Sequence, residues 1–241
     1  MKYAVISDVH ANREALEAVL QAARRRKVDR FFCLGDLIGY GADPGWCLET
    51  LRETADRTVR GNHDTAAFEP AGLENLNENA ARAVVWTVPR LSPGQLDYLR
   101  SLPLVEEEDG IALVHSSFVA PGNWDYIFTP EDARPSLGRL KGAIGFFGHS
   151  HRPGFFRLRD GRVTLVPGEK IRLEPGDRLL VNPGSVGQPR DRDSRASFAV
   201  GEREAGTVEI VRVDYPVGKA QEKIRKAGLP AWLADRLALG R

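Results

Sequence analysis

With 241 residues, 42% of them apolar and 28% charged, the chain is long enough for a full hydrophobic core and ordinary in composition for a globular enzyme. A formal net charge of +1 excludes a global field that would steer it onto nucleic acid or membrane. The two cysteines, Cys33 and Cys47, exclude a disulfide framework and lack the C-x-x-C spacing of a zinc or redox site.

In chain order, Tyr3 to Ser7 reads as a short apolar strand ending in Asp8. Polar and acidic groups come too early there for a signal peptide. No apolar run approaches the roughly 20 residues that span a bilayer, so the expected location is the cytoplasm. Asn12 is placed to cap a helix through Leu16, Val19 and Leu20 to Arg24-Arg25-Arg26-Lys27, a cationic end that suits the negative pole of the helix dipole. Arg30 to Leu34 predicts a second buried strand, with Cys33 as an inert thiol inside it and Gly35-Asp36 at its end. Asp43-Pro44 opens a helix through Leu51, and Thr58 to Arg60 is a third short strand stopped by Gly61-Asn62. This alternation predicts a parallel sheet with helices outside, hence an α/β fold.

Helical patterning continues from about Leu73 to Thr87 and from Pro93 to Ser101. Strands are then predicted at Leu104 to Glu107, Ile111 to Val114, Ile144 to Phe147, Phe155 to Leu158, Val163 to Val166, Leu179 to Asn182, Ser197 to Val200 and Thr207 to Val213. Glu106 to Asp109 reads as a solvent-facing hairpin turn. A helix pair, Gly218 to Ala227 and Pro230 to Leu239, closes the chain. No linker, repeat or low-complexity stretch divides it, so residues 1–241 are expected to form one domain, with the helices of about 216–241 as an appendage.

The five histidines are His10, His63, His115, His149 and His151, and each follows a predicted strand or sits in a turn beginning there. Ligands of an open parallel sheet collect beyond the carboxyl ends of its strands. In extended backbone, residues two apart point the same way, which would let Asp8 and His10 meet at one point, and likewise His149 and His151. A single histidine is most often structural; five at strand ends, beside acids and glycines, point to a metal site. Imidazole and carboxylate donors suit Mn²⁺, Fe, Zn²⁺, Co or Ni rather than a thiolate-bound metal.

The phrases Asp8-x-His10, Gly35-Asp36, Gly61-Asn62-His63-Asp64, His115 and Gly148-His149-Ser150-His151 occur in that order. As an ordered set they resemble the calcineurin-like metallophosphoesterase superfamily. Asn182-Pro183-Gly184-Ser185-Val186-Gly187 looks like the turn after the last core strand in its small bacterial and archaeal members, near the YfcE-type phosphodiesterase branch. The resemblance implies a four-layer α-β-β-α sandwich of two mixed sheets with helices outside. It assigns Asp8, His10 and His151 to one metal, Asn62, His115 and His149 to a second, and Asp36 to a bridge between them. Two divalent cations are implied, Mn²⁺ first, with Fe, Zn, Ni or Co as alternatives. A hydroxide bridging them would attack the phosphodiester or phosphomonoester of a small or nucleotide-like substrate. Dinucleoside polyphosphate hydrolysis is the alternative within this chemistry, and a non-catalytic scaffold the alternative outside it.

His63 is left unliganded, to stabilise the phosphoryl group or to protonate the leaving alkoxide, with a purely structural role as the rival reading. Asp64 either orients His63 or caps a turn. Phosphoprotein phosphatases carry G-D-x-x-D-R; here Gly35-Asp36-Leu37-Ile38-Gly39-Tyr40 lacks the second aspartate and the arginine, which speaks against a serine/threonine protein phosphatase. The D-x-H element also lacks the tyrosine ligand of purple acid phosphatases. Asn12 is a candidate phosphate contact as well as a helix cap. Arg190, with Arg192 and Arg152, offers positive charge near the phosphate or belongs to a solvated loop. Trp124 and Tyr126 either wall a pocket and stack a nucleobase or anchor the loop by packing. The expected partner is a small phosphate ester, with no membrane and no strong nucleic-acid signal; a homo-oligomer stays open.

Overall fold

A computed structural model describes residues 1–241, the side chain of Pro70 excepted. The first half alternates as expected: β1 (Lys2–Ile6), α1 (Arg13–Arg25), β2 (Arg30–Cys33), α2 (Pro44–Thr54) and β3 (Arg57–Thr58). The strands run parallel in the order β3-β2-β1. Three later strands extend that sheet antiparallel beyond β1: β11 (Ala196–Glu202), β12 (Thr207–Val213) and β9 (Lys170–Arg172). The second sheet also has six strands, in the order β4 (Val105–Glu108), β5 (Ile111–Val114), β6 (Ile144–Phe146), β10 (Arg178–Asn182), β7 (Gly154–Arg159), β8 (Arg162–Val166), with β5, β6 and β10 parallel.

Side-chain alternation builds four layers from these strands. On β1, Tyr3 and Val5 face the second sheet and share an apolar cluster with Phe146, Phe155 and Val181. Ala4 and Ile6 face the other way, into a cluster with Leu16 of α1 and Leu48 of α2. Leu180 of β10 points outward against Ala133 and Leu137 of helix α7 (Pro130–Arg139). Both faces of the central strands are thus covered, which is why they read as continuous apolar runs rather than alternating ones. The result is an α-β-β-α sandwich of two mixed sheets. The closing helices, α8 (Val217–Lys226) and α9 (Ala231–Asp235), share the cluster of α1 through Ile224 and Leu233. Lys223 of α8 lies 2.8 Å from Glu14 and 2.7 Å from Asp43. No helix among the described residues is long and apolar enough to cross a membrane.

Several elements differ from the sequence pattern. The helix expected over 73–87 is two, α4 (Pro70–Glu74) and α5 (Glu78–Thr87), because the Asn77 side chain accepts the Ala80 N–H at 3.1 Å and caps a fresh start. Asn62–Ala66 is a further helix, α3, where a turn was expected. Helix α7 was missed although Thr129 and Asp132 form its capping box, since Pro135 inside it interrupts the helical signal. The edge strand β9 was also missed, at three residues too short to show a period. Glu106 to Glu108 belong to β4, and the hairpin turns one step later at Asp109-Gly110, both with positive φ (53° and 77°) as such a turn requires. Both cysteines are free and buried.

Candidate metal centre

The loops leaving β1, β2, β5 and β6 converge at one end of the sandwich, where the α3 turn joins them. Extended alternation does not bring the histidines together there. Asp8 (φ 54°), His10 (48°), Asp36 (53°), His149 (62°) and His151 (57°) all adopt the left-handed conformation. Each such residue costs about 1–3 kcal/mol and persists only where its surroundings over-determine it. The surroundings here are hydrogen bonds between loops: Asp8 N–H to Gly35 O at 3.1 Å, His10 N–H to Asp36 O at 2.9 Å and Ala11 N–H to Leu37 O at 2.9 Å. Gly61 has to lack a side chain, because a β-carbon there would collide with Asp36 Oδ1.

Three imidazoles are locked in the same tautomer by the backbone. Nδ1 of His10, His115 and His151 donates to the carbonyls of Ile38 (3.0 Å), Leu34 (2.8 Å) and Gln188 (2.6 Å). That leaves Nε2 of each ring facing inward as the nitrogen available to a cation. Nε2 of His10 and Nε2 of His151 are only 3.2 Å apart, and Asp8 Oδ1, buried 3.2 Å from the latter, has no hydrogen-bond partner. Opposed lone pairs and an orphaned carboxylate oxygen are costly in a dry interior unless a cation lies among them. Asp36 Oδ2 sits 3.5 Å from His10 Nε2 and 3.4 Å from His115 Nε2. Two ligand groups result, Asp8/His10/Asp36/His151 and Asp36/His115/His149, with candidate donor atoms in each within 4.8 Å of one another. Asn62 Oδ1 joins the second, 3.2 Å from His115 Nε2.

Three of the four imidazoles are neutral and ready for a cation, whereas His115 holds a proton that a cation would displace. Burial pushes His10 well below its ordinary pKa, lowers His151, and takes His149 down to about 3, so these rings stay neutral. Burial acts the same way on His115, but the carboxylates of Asp36 and Asp8 outweigh it and raise the ring to about 9. Burial opposes ionisation of Asp8 and Asp36, yet the neighbouring imidazoles hold both well below the usual carboxylate range.

The remaining candidates divide. His63 lines the cavity, edge-on to His10 at 4.7 Å and against Tyr40 at 4.5 Å, with Nδ1 buried and unpartnered. Burial lowers its pKa to about 4. Asp64 takes the capping role of the two considered, not the orienting one: its carboxylate accepts the N–H groups of Asp36 (2.8 Å), Leu37 (2.9 Å), Ile38 (3.4 Å) and Gly61 (3.0 Å) and makes no hydrogen bond to the His63 ring. Asn12 is likewise consumed by structure. Its oxygen accepts the Ala15 N–H at 3.1 Å and its amide donates to Gly187 O at 2.9 Å, so it does not reach the cavity.

Arg190 does line the cavity, held by Gln188 Oε1 at 3.0 Å and the Tyr40 hydroxyl at 3.3 Å, with no carboxylate partner among the described residues. Arg152 and Arg192 are absent from that lining. The cavity holds about 300 Å³, and Trp124, Tyr126, Asn75 and Asn77 are among its lining residues. Tyr40, Asn75, Asn77 and Asn123 were missed from sequence: Asn77 shows as a cap, but no local signal says that the 70–77 stretch folds over the site.

Buried Asp–His groups sharing one carboxylate at strand ends define a centre suited to a pair of divalent cations. The family model for the calcineurin-like phosphoesterase superfamily domain matches residues 1–206, and the chain belongs to that superfamily. It is a hydrolase acting on phosphoric esters, of a superfamily that depends on two metals. An uncharacterised protein of Methanocaldococcus jannaschii is 41% identical over 99% of this chain and 98% of its own length. The crystal structure of a metallophosphoesterase from Sphaerobacter thermophilus superposes with a TM-score of 0.87 at 39% identity, covering 100% of this chain and 99% of that one. A symmetrical bis(5'-nucleosyl)-tetraphosphatase of Chromohalobacter salexigens is 31% identical over 57% of this chain and 51% of its own.

Proposed function

We propose that the chain is a two-metal phosphodiesterase acting on small or nucleotide-like esters. Asp8, His10 and His151 would hold one cation, Asn62, His115 and His149 the other, and Asp36 would be shared. The observation that carries this reading is the position of Asp36 Oδ2, nearly equidistant from one imidazole of each group. The ligand set is hard to borderline, so Mn²⁺ is the first ion to test, ahead of Fe, Zn, Co or Ni. Bound there, such a pair supplies Lewis acidity and brings the pKa of a coordinated water towards 7.

The chain's own groups do the rest. His10 and His151, neutral and with Nδ1 held by backbone carbonyls, need no reorganisation to act as ligands. His63, which lines the cavity, is assigned to a phosphoryl or leaving-group oxygen. Arg190 adds a guanidinium for a non-bridging oxygen. Arg190→Ala is expected to lower kcat/KM by about 10–100-fold, chiefly through KM, the scale of a hydrogen bond to a charged group. Steady-state kinetics at saturating metal reads the split.

The reading is tested with metal-stripped protein on bis-p-nitrophenyl phosphate and p-nitrophenyl phosphate, with and without added Mn²⁺. Faster cleavage of the diester on Mn²⁺ addition supports it; monoester preference overturns the diesterase assignment. The tetraphosphatase relative favours a second reading, hydrolysis of dinucleoside polyphosphates. Against it, Arg190 is the lone cationic arginine or lysine in the described cavity lining, sparse for a chain of phosphates. Diadenosine tetraphosphate in the same assay decides between the two.

A further inference from the structure

His10, His115 and His151 are each held by a backbone carbonyl on Nδ1, but His149 has no hydrogen bond from either ring nitrogen among the described residues. Something else has to fix its ring. The Tyr126 ring lies against it, with centroids 4.1 Å apart and planes 20° apart. Phe128 in turn stacks on Tyr126 at 5.3 Å and 9°, and the Arg152 guanidinium lies over Phe128 at 5.4 Å. A stack therefore runs from the surface to the metal centre along Arg152, Phe128, Tyr126 and His149. The same loop sends Trp124 edge-on to His115 at 6.0 Å. Its contacts thus fall on the two imidazoles of one ligand group, while His10 and His151 of the other stack on each other at 4.9 Å.

We propose that Tyr126 is a positioning residue for His149, its stacked ring replacing the carbonyl that orients the other imidazoles, so that the aromatic loop 124–128 sets the affinity of the second metal position. This rests on the two-metal reading above. The physical reason is directional. A carbonyl fixes an imidazole by one hydrogen bond in its plane, whereas a parallel aromatic face restricts tilt and leaves rotation in the plane to the metal itself. Tyr126 and Phe128 are both 47% exposed, so little of the hydrophobic core depends on them and their removal leaves the fold standing. His149 sits in a left-handed backbone conformation, and its other ring contact is edge-on to His115 at 5.1 Å, which leaves one face of the ring to Tyr126 alone.

The test is calorimetric titration of metal-stripped protein with Mn²⁺, comparing the unaltered chain, Tyr126→Ala, Tyr126→Phe and His149→Ala. The Ala variant is expected to lose about 10–100-fold in affinity for one of two equivalents, the usual scale for a group that orients a ligand, with the other equivalent unchanged. Tyr126→Phe keeps the ring and is expected to restore both. Adding Tyr126→Ala to His149→Ala should change nothing further, because the effect passes through that imidazole. The visible spectrum of the second Co²⁺ equivalent should shift in Tyr126→Ala and not in Tyr126→Phe. Two equivalents bound by Tyr126→Ala as tightly as by the unaltered chain would overturn the proposal and leave the two-metal reading standing. Equal losses in the Ala and Phe variants would overturn it too, by pointing to the hydroxyl. Fewer than two equivalents in the unaltered chain would sink both.

Discussion

Asp36→Asn is expected to abolish Mn²⁺-dependent hydrolysis, by about 10³-fold or more, while leaving the protein folded. The amide has the shape of the carboxylate, and its oxygen can still accept the His63 N–H that Asp36 Oδ1 accepts at 2.9 Å. Its NH₂ then replaces Oδ2, the atom 3.5 and 3.4 Å from Nε2 of His10 and His115. An NH₂ group there has no lone pair for a cation, and the shared negative charge that offsets repulsion between two cations is gone. Losing several kcal/mol of transition-state stabilisation corresponds to roughly the stated factor, at about 1.4 kcal/mol per tenfold. Single-turnover hydrolysis read beside metal stoichiometry and thermal unfolding checks it. A variant that keeps two Mn²⁺ and near-normal turnover would show that Asp36 is not shared.

Asp64→Ala is expected to be the most destabilising substitution near the site, although Asp64 contacts no candidate donor atom of the metal groups. Its carboxylate is the acceptor for four buried N–H groups, those of Asp36, Leu37, Ile38 and Gly61. Each buried donor left unsatisfied costs about 1–3 kcal/mol before relaxation, so a net loss of about 4 kcal/mol is expected. For a chain of this size that lowers Tm by on the order of 8–16 °C. Asp64→Asn retains one acceptor oxygen and should fall in between. Because the clamped N–H groups include that of Asp36 itself, metal affinity should fall along with Tm. Unfolding curves recorded with and without Mn²⁺ separate the two effects. An Asp64→Asn variant with unchanged Tm and reduced kcat would return this residue to the chemistry.

Much of the architecture was legible because its causes are local. The strands buried on both faces, such as Arg30–Cys33 and Ile111–Val114, read as short apolar runs bounded by glycine or acid. The helix starts expected after Asn12 and at Pro93 fall within a residue of those observed. The ordered Asp and His phrases named the family because each ligand sits in a short motif at a strand end. Helix α7 stayed hidden for an equally local reason, a proline inside a capped helix.

What the amino-acid sequence determined by itself was therefore the strand–helix order, the family and the set of candidate donors. The tertiary structure decided which donors meet and what each polar side chain spends its hydrogen bonds on. Asn12 is chemically able either to cap or to meet a phosphate, and Asp64 either to cap or to orient His63, and nothing within a few residues distinguishes the uses. The choice was made by Gly187, 175 residues from Asn12, and by Leu37, 27 residues from Asp64. Asp8 and His10 converge through left-handed turns held by the neighbouring loop, not through the alternation of an extended strand. The His10–His151 pair closes across 141 residues of chain. Such contacts depend on how strands from distant segments are ordered in two sheets, and that order is fixed by burying three apolar clusters at once.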